Sequence, residues 1–488
     1  MCVACDLAGL AAGSAVSPCA CGAPETAQAM RRIEADLKRR EFLGGTAAVL
    51  GLFAGFGLSP VGTRAQSPGR PFLLTNLRLF DGRRLAMQDG VDILVEGSRI
   101  TALPARGDGP ADAERIDCGG RAVIPGLIDA HWHATLTAVS QIVALTQDVA
   151  FVHLVAGREA GATLMRGFTT VRDVGGPAFG LKLAIDRGVV TGPRIFPSGA
   201  MISQTSGHGD FRLLSALPRM PGDPPDNTER QGVAAIADGA DEVLRRAREQ
   251  LMRGASQIKI MAGGGVASPY DPLDSLQYTE REMLAAVEAA SDWGTYVCAH
   301  VYTADGIRRA VSAGVRSIEH GQLADEDTVR LMADEGVWWS LQPFLQDEDS
   351  NQYADPAQQA MQTAVAEGTV RAFELGRTHG VRMAFGTDIL FNAAAGGSSQ
   401  GRQLAKLTRF MSPLDALHLA TGAAGELLAL SGDRAPYAGR LGIVAEGALA
   451  DLLVIDGDPE SRLDWLEDPA ANLKLIMKGG TIHKDDLA

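Results

Sequence analysis

The chain has 488 residues, of which 46% are hydrophobic and 21% are charged, an ordinary balance for a globular protein of two or three domains. Its formal net charge is −14. This acidity argues against a nucleic-acid groove, which would require a basic face, so we expect no nucleic-acid partner.

Residues 1–65 predict an export segment. Two arginines at 39 and 40 precede Phe42-Leu43, an apolar run over 44–58 and a small-residue site ending at Ala65. This order is typical of a signal peptide, and the paired arginines resemble a twin-arginine signal. The run is too short for a comfortable membrane span. We therefore expect export to the periplasm or secretion, with no stable membrane span; an uncleaved N-terminal anchor is the alternative.

The six cysteines fall into two groups. Four of them crowd the N-terminus with a spacing that can hold zinc, namely Cys2, Cys5, Cys19 and Cys21. They precede the export segment, so we assign them no catalytic role. Cys118 and Cys298 lie far apart in the remainder, and we expect buried thiols rather than a disulfide.

Short strands are predicted near both ends of the remaining chain. Residues 73–80, 91–95 and 99–104 read as strands, with hairpin turns at Asp81-Gly82, Asp89-Gly90 and Glu96-Gly97. Residues 447–455, 473–477 and 479–482 repeat the pattern near the other end. We expect the two ends to pair into a composite β-sandwich made of residues 66–123 and 431–488.

Strands alternate with helices in between. The predicted strands cover 126–133, 169–174, 194–198, 257–261, 296–300, 317–320, 338–342 and 383–388. Helices are predicted over 230–253, 279–292 and 325–335. Eight such strands over roughly 300 residues predict an α/β fold, a (β/α)8 TIM barrel of residues 124–430, with its chemistry at the carboxyl ends of the strands.

Ionisable residues fall at those strand ends. They are His131, His133, Lys259, His300, His320 and Asp388. Strand alternation places His131 and His133 on one side of the first strand. Singly, a buried histidine is often only hydrogen-bonded, and a lysine can extend its charged end to water. Together at one end of a barrel, these residues predict a metal site.

These motifs resemble the amidohydrolase superfamily over residues 71–484. The resemblance rests on the segment 125–133, the strand-four lysine, the two later histidines and Gly386-Thr387-Asp388. It implies two divalent metal ions, with Zn²⁺ expected. His131, His133 and Asp388 would bind one ion, and His300 and His320 the other, with an N6-carboxylated Lys259 between them. Asp388 would act as general base and then general acid. Homo-oligomers are common in the family, and we expect one.

Segments 203–210 and 261–272 resemble the prolidase-like, imidazolonepropionase-related branch of that superfamily. This implies hydrolysis of amide or peptide bonds in small N-acyl amino acids or dipeptides, as in carboxypeptidases, prolidases and enzymes that convert ochratoxin A to its isocoumarin acid and phenylalanine. A lactonase or organophosphate triesterase with the same metal centre is the alternative. A scaffold without activity is disfavoured, because all six ligand positions are filled.

Five residues are candidates for contact with the substrate. They are His208, Tyr270, Arg172, and Gly264 and Val266 in and after the glycine-rich loop. His208 is also a catalytic candidate, able to polarise the carbonyl; the alternative is a solvated loop histidine. For Tyr270 the alternative is ordinary packing. For Arg172 it is a salt bridge with Asp173.

Overall fold

A computed structural model describes residues 70–487, apart from residues 221, 268, 269, 351, 352 and 354. The predicted export segment and the four N-terminal cysteines lie outside the described residues. Cys118 and Cys298 are buried free thiols, as expected. No helix in the described part of the chain is long and apolar enough to cross a membrane.

Seven short strands come first. They are β1 (Phe72–Thr75), β2 (Arg78–Phe80), β3 (Met87–Gln88), β4 (Ile93–Glu96), β5 (Arg99–Ala102), β6 (Glu114–Asp117) and β7 (Ala122–Pro125). The predicted strand 73–80 is wrong as a single element, because Asn76 adopts a φ of 53° and divides it into β1 and β2. The turn at Glu96-Gly97 joins an antiparallel pair, as predicted. The turn at Asp89-Gly90 does not, because β3 and β4 belong to different sheets.

Ten further strands alternate with helices. The strands are β8 (Leu127–Trp132), β9 (Phe168–Asp173), β10 (Arg194–Pro197), β11 (Met201–Ser203), β12 (Ala234–Ile236), β13 (Ile258–Met261), β14 (Val297–Thr303), β15 (Ser317–Leu323), β16 (Trp338–Leu341) and β17 (Met383–Phe385). The first helices are α1 (Gln141–Thr146), α2 (Val149–Met165), α3 (Phe179–Asp186), α4 (Asn227–Gln231), α5 (Ala240–Met252) and α6 (Glu280–Asp292). They are followed by α7 (Ala304–Ser312), α8 (Glu326–Asp334), α9 (Pro356–Thr378), α10 (Gln400–Ala405), α11 (Pro413–Leu419) and α12 (Gly422–Ala429).

Apart from β12, which lies at a sheet edge beside β11, the strands from β8 to β17 form a closed parallel ring. β8, β9 and β10 pair in order, and β11, β13, β14, β15, β16 and β17 continue the series. The amide of Ser256 donates to the carbonyl of Pro197 at 2.8 Å, and the amide of Asp388 donates to the carbonyl of His131 at 2.9 Å. These bonds join the two sheets, so the carboxyl ends of all the predicted strands meet at one end of the barrel.

The helix predicted over 230–253 is wrong in its first half. Gly232 has a φ of 81° and ends α4, and Gly239 has a φ of 86° and precedes α5. Between them, the apolar strand β12 pairs with β11. Pairing against the barrel therefore overrides the local helical pattern of these residues.

The last elements return to the terminal sheets. They are β18 (Leu452–Ile455), α13 (Pro469–Asn472), β19 (Leu473–Lys478) and β20 (Thr481–Asp485). One sheet has the order β5-β4-β1-β6, and the other has the order β20-β19-β18-β7-β2-β3. β18 pairs antiparallel with β7, so strands from both ends of the described chain share one sheet. Buried side chains of both sheets pack in one apolar cluster.

The N-terminus of α6 provides a test of local stability. Thr279 accepts a hydrogen bond from the amide of Glu282, whose carboxylate accepts one from the amide of Thr279 at 2.8 Å. We expect Thr279→Ala to lower the free energy of unfolding by about 1 kcal/mol in urea denaturation, because this cap is lost. Thr303→Ala is the control, because the hydroxyl of Thr303 makes no capping bond to α7. An equal loss of unfolding free energy in both variants would contradict this prediction.

Candidate metal centre

The six residues predicted as metal ligands lie together at the carboxyl ends of five strands. His131, Lys259, His300 and His320 lie in β8, β13, β14 and β15. His133 directly follows β8, and Asp388 is the third residue after β17. The histidines and Lys259 are at most 4% exposed. The ring centroids of His131 and His320 are 4.8 Å apart, and those of His300 and His320 are 4.4 Å apart. All six residues line one cavity.

Two imidazoles of this group direct their Nε2 atoms at the carboxylate of Asp388. The Nδ1 of His131 lies 2.8 Å from a Glu319 carboxylate oxygen, and the Nδ1 of His133 lies 2.8 Å from the carbonyl of Gly175. Both partners only accept, so each Nδ1 carries a proton. The two Nε2 atoms lie 3.3 and 3.2 Å from Oδ1 of Asp388, and in a neutral imidazole each of them would offer a lone pair. Oδ1 is buried and has no hydrogen-bond donor.

When both imidazoles are neutral, these three converging atoms are all acceptors, which fits a cation. Asp388 supplies the carboxylate oxygen of the set. Ligand atoms of His131, His320 and Asp388 all lie within 4.8 Å of one another. Neutral imidazole nitrogen together with carboxylate oxygen is a donor set typical of zinc.

The second pair of histidines is also in the ligand form. Burial lowers the pKa of both His300 and His320 well below the usual range, so both stay neutral. The Nε2 of His300 lies 3.2 Å from the carbonyl of Gly264, which leaves its Nδ1 as the lone-pair atom. The Nδ1 of His320 is buried without a hydrogen-bond partner.

Lys259 is almost completely buried beside these residues, at 1% exposure. Burial lowers the pKa of its ammonium, which favours the neutral amine. The neutral amine is the form that reacts with carbon dioxide to give a carbamate. The surroundings of Lys259 therefore suit the predicted carboxylation.

His208 is held beside the histidine cluster rather than in open solvent. Its ring stacks on that of His300 with a centroid distance of 4.1 Å. Its Nδ1 lies 3.0 Å from a carboxylate oxygen of Asp271, which is buried. Asp271 therefore orients the ring, and the side chain of His208 lines the cavity. The sequence did not single out Asp271.

Three of the other four substrate candidates differ in position. Val266 lines the cavity, and Tyr270 is 37% exposed and does not line it. Gly264 lies against the loop that follows it, since a Cβ there would lie 1.9 Å from the carbonyl oxygen of Pro272. This close approach requires glycine.

Arg172 has no exposed atom and does not line the cavity. The predicted alternative of a salt bridge with Asp173 named the wrong partner. Both Arg172 contacts at 2.7 Å are to the carboxylate of Glu319. Side chains alternate along β9, so Arg172 points into the barrel and Asp173 away from it, which explains the difference.

The cavity has a volume of about 600 Å³ and includes walls that the sequence did not predict. Tyr302 stacks on His320 with a centroid distance of 4.9 Å. It lies two residues after His300 in β14, so strand alternation contained the signal for it. Another wall comes from the segment after β16 and from α10, where Asp349 pairs with Arg402.

Asp129 is a further residue that the sequence analysis missed. It is completely buried. One of its oxygens accepts from the amides of His131 and Thr387, both at 3.1 Å. The other accepts from the hydroxyl of Thr387 at 2.7 Å and from Gln400 at 2.9 Å. Asp129 thereby fixes the backbone of the predicted ligand His131 relative to Thr387, the residue before the predicted ligand Asp388.

Comparisons with known proteins agree with this geometry. Residues 122–484 match the amidohydrolase family. The chain is 33% identical to an ochratoxinase of Aspergillus niger over 330 residues, which are 66% of this chain and 66% of that protein, just under two thirds of its length. A solved amidohydrolase shares 38% identity with a TM-score of 0.77, over 86% of this chain and 100% of its own. A prolidase complexed with N-methylphosphonate-L-proline shares 35% identity with a TM-score of 0.76, over 85% and 100%. These matches support the barrel fold.

Gly386 provides a test of the packing around the first ligand. A Cβ at this position would lie 2.5 Å from Cβ and 2.8 Å from the backbone nitrogen of His131. We expect Gly386→Ala to displace His131, to lower the bound zinc per chain in elemental analysis and to cost roughly 1–3 kcal/mol of stability. Gly157→Ala is the control, because its nearest neighbour would be 3.7 Å away. Full zinc content and unchanged stability in Gly386→Ala would refute this constraint.

Proposed function

The chain belongs to the amidohydrolase family, and on that premise we propose that it is a metal-dependent hydrolase of amide and peptide bonds. Its proposed substrates are small N-acyl amino acids or dipeptides, as for a carboxypeptidase or prolidase. The observation that carries the proposal is the convergence of the Nε2 atoms of His131 and His133 and the carboxylate of Asp388 within the cavity. That arrangement suits a cation, and a metal hydrolase needs one.

We assign the ligands as two sets. His131, His133 and Asp388 would hold one divalent ion, and His300 and His320 would hold the other. Lys259, as its carbamate, would lie between them. The histidine-rich donor set favours Zn²⁺. Two such ions would supply a water of lowered pKa and would polarise the scissile carbonyl.

Asp388 is the proposed proton carrier. Its carboxylate oxygen lies 3.3 and 3.2 Å from the Nε2 atoms of His131 and His133, where it could accept a proton from the attacking water. Delivery of that proton to the nitrogen of the leaving amine completes the cleavage of the amide, with Asp388 acting as base and then as acid.

His208 is the proposed contact for the substrate carbonyl oxygen. The contact between its Nδ1 and Asp271 leaves Nε2 for the cavity. A carboxylate that fixes one ring nitrogen sets the tautomer and the orientation of the other. Val266 lines the same cavity, where it would shape the wall against which the substrate packs, and Gly264 would set the path of the loop that precedes it.

The size of the cavity fits the proposed substrates. A volume of about 600 Å³ lies within the usual range for small-molecule sites of ~300–1,000 Å³. The relatives include an ochratoxinase and a prolidase. We therefore include ochratoxin A, cleaved to its isocoumarin acid and phenylalanine, among the candidate substrates, together with dipeptides that end in proline.

Three properties of the whole protein belong to the same proposal. We propose export through the twin-arginine-type segment 1–65, assembly as a homo-oligomer, and a composite β-sandwich of residues 66–123 and 431–488 beside the barrel of residues 124–430. The apolar cluster shared by the two terminal sheets supports the sandwich.

A substrate panel tests the reaction class. Zinc-loaded protein would be assayed with Xaa-Pro dipeptides, N-acetylphenylalanine, ochratoxin A, a lactone and paraoxon. We expect release of the C-terminal amino acid from the amides, and a loss of at least ~100-fold in kcat in Asp388→Asn with zinc retained, because proton transfer is lost. Turnover of the lactone or paraoxon without any turnover of the amides would replace the proposal by the esterase alternative.

A second variant tests the bridging lysine. We expect Lys259→Ala to lose bound zinc in elemental analysis, because alanine cannot form the carbamate. Bicarbonate should slow the loss of zinc from the wild type and have no effect on the variant. Lys478→Ala is the control, because Lys478 lies in β19 and donates to Gly192 instead of lining the cavity. Two zinc ions per chain in Lys259→Ala would exclude the bridge.

A further inference from the structure

One buried carboxylate lies between the two halves of the candidate metal centre. Glu319 is completely buried and directly precedes His320 in β15. One of its oxygens accepts the proton of His131 Nδ1 at 2.8 Å. Glu319 is therefore hydrogen-bonded to a ligand of one set and joined through the chain to a ligand of the other.

The same carboxylate is held by an arginine that also fixes the first strand. Arg172 in β9 is completely buried and donates to both oxygens of Glu319 at 2.7 Å. Its Nε donates to the carbonyl of Ala130 at 2.5 Å, directly before His131. Ser317 adds a further hydrogen bond to Glu319 at 2.6 Å. The pair thus contacts both the backbone and the imidazole of the first ligand segment.

We propose that Arg172 and Glu319 form a positioning pair for the metal centre, which fixes His131 with its Nε2 toward the ion and keeps the buried charge beneath the site near zero. Neither residue contacts the substrate. The proposal rests on the proposed function only in requiring that the site holds metal. Carboxylates that accept the second ring proton of a ligand histidine set its tautomer and raise its basicity.

The charges of the pair give it a signature that ordinary packing lacks. Without the Glu319 anion, Arg172 is an uncompensated buried cation close to the metal, which repels the ion. Without the Arg172 cation, the Glu319 anion remains hydrogen-bonded to His131 and attracts the metal ion. The loss of Glu319 should therefore weaken metal binding much more than the loss of Arg172, although both disturb the same buried pair.

The test measures zinc affinity by competition with a chelator, without an activity assay. We expect Glu319→Gln to bind zinc about 10–100-fold more weakly than the wild type, the usual range for the loss of such a partner. Arg172→Met should bind zinc at least ~10-fold more tightly than Glu319→Gln, because it retains the anion. Equal weakening in the two variants, or no weakening in Glu319→Gln, would overturn the proposal.

A buried pair elsewhere in the chain is the matched control. Asp451 pairs with Arg194 and is 3% exposed, yet neither residue lines the cavity. Asp451→Asn should change the free energy of unfolding of the zinc-free protein but not its zinc affinity. A loss of zinc affinity equal to that of Glu319→Gln would show that any damaged pair has this effect and would overturn the proposal.

The folding of Glu319→Gln and the zinc binding of the wild type decide how the test is interpreted. If Glu319→Gln does not fold, Glu319→Asp takes its place, because it keeps the charge but withdraws the carboxylate from His131. A zinc affinity equal to that of the wild type in Glu319→Asp would overturn the proposal, and a weaker zinc affinity would support it. A wild type that binds no zinc overturns the proposed function as well. A wild type that binds zinc, with unchanged affinity in the variants, overturns only the positioning pair.

Discussion

Two imidazole nitrogens and one carboxylate oxygen converge inside the barrel. Because Glu319 and the carbonyl of Gly175 accept the Nδ1 protons of His131 and His133, the Nε2 atom of each neutral imidazole is an acceptor toward Asp388. Three buried acceptors repel one another, and their arrangement becomes favourable when a cation occupies the space between them. The rest of the site keeps these atoms in place.

Backbone constraints keep His131, His133 and Asp388 close together despite this repulsion. Asp388 and His320 have positive φ values of 54° and 74°, which few non-glycine residues adopt without a local reason. Asp129 ties the backbone of the first strand to the residue before Asp388. Gly126 lets that strand approach its neighbour, since a Cβ there would lie 2.2 Å from the hydroxyl of Thr169. Strain of this kind is typical of functional sites.

The sequence predicted the part of this structure that periodicity controls. Eight parallel strands and the placement of six ionisable residues at their ends follow from alternation and from the rule for such barrels. Pairing between segments that are distant in the sequence was harder to predict. For example, β12 lies within a stretch with a helical pattern and becomes a strand only by pairing with β11. Likewise, the partner of Arg172 is 147 residues away in the chain, so no local pattern indicates Glu319. The cavity walls formed by loops were missed for the same reason.

The central claim is that the converging acceptors hold metal, and a crystal of the zinc-loaded protein tests it most directly. Anomalous scattering measured at the zinc edge locates the ions independently of any substrate. The account predicts two peaks, one at ~2.0–2.2 Å from the Nε2 atoms of His131 and His133 and from the carboxylate of Asp388, and one at a similar distance from His300 and His320. Zinc-loaded crystals with no peak at these residues would contradict the account.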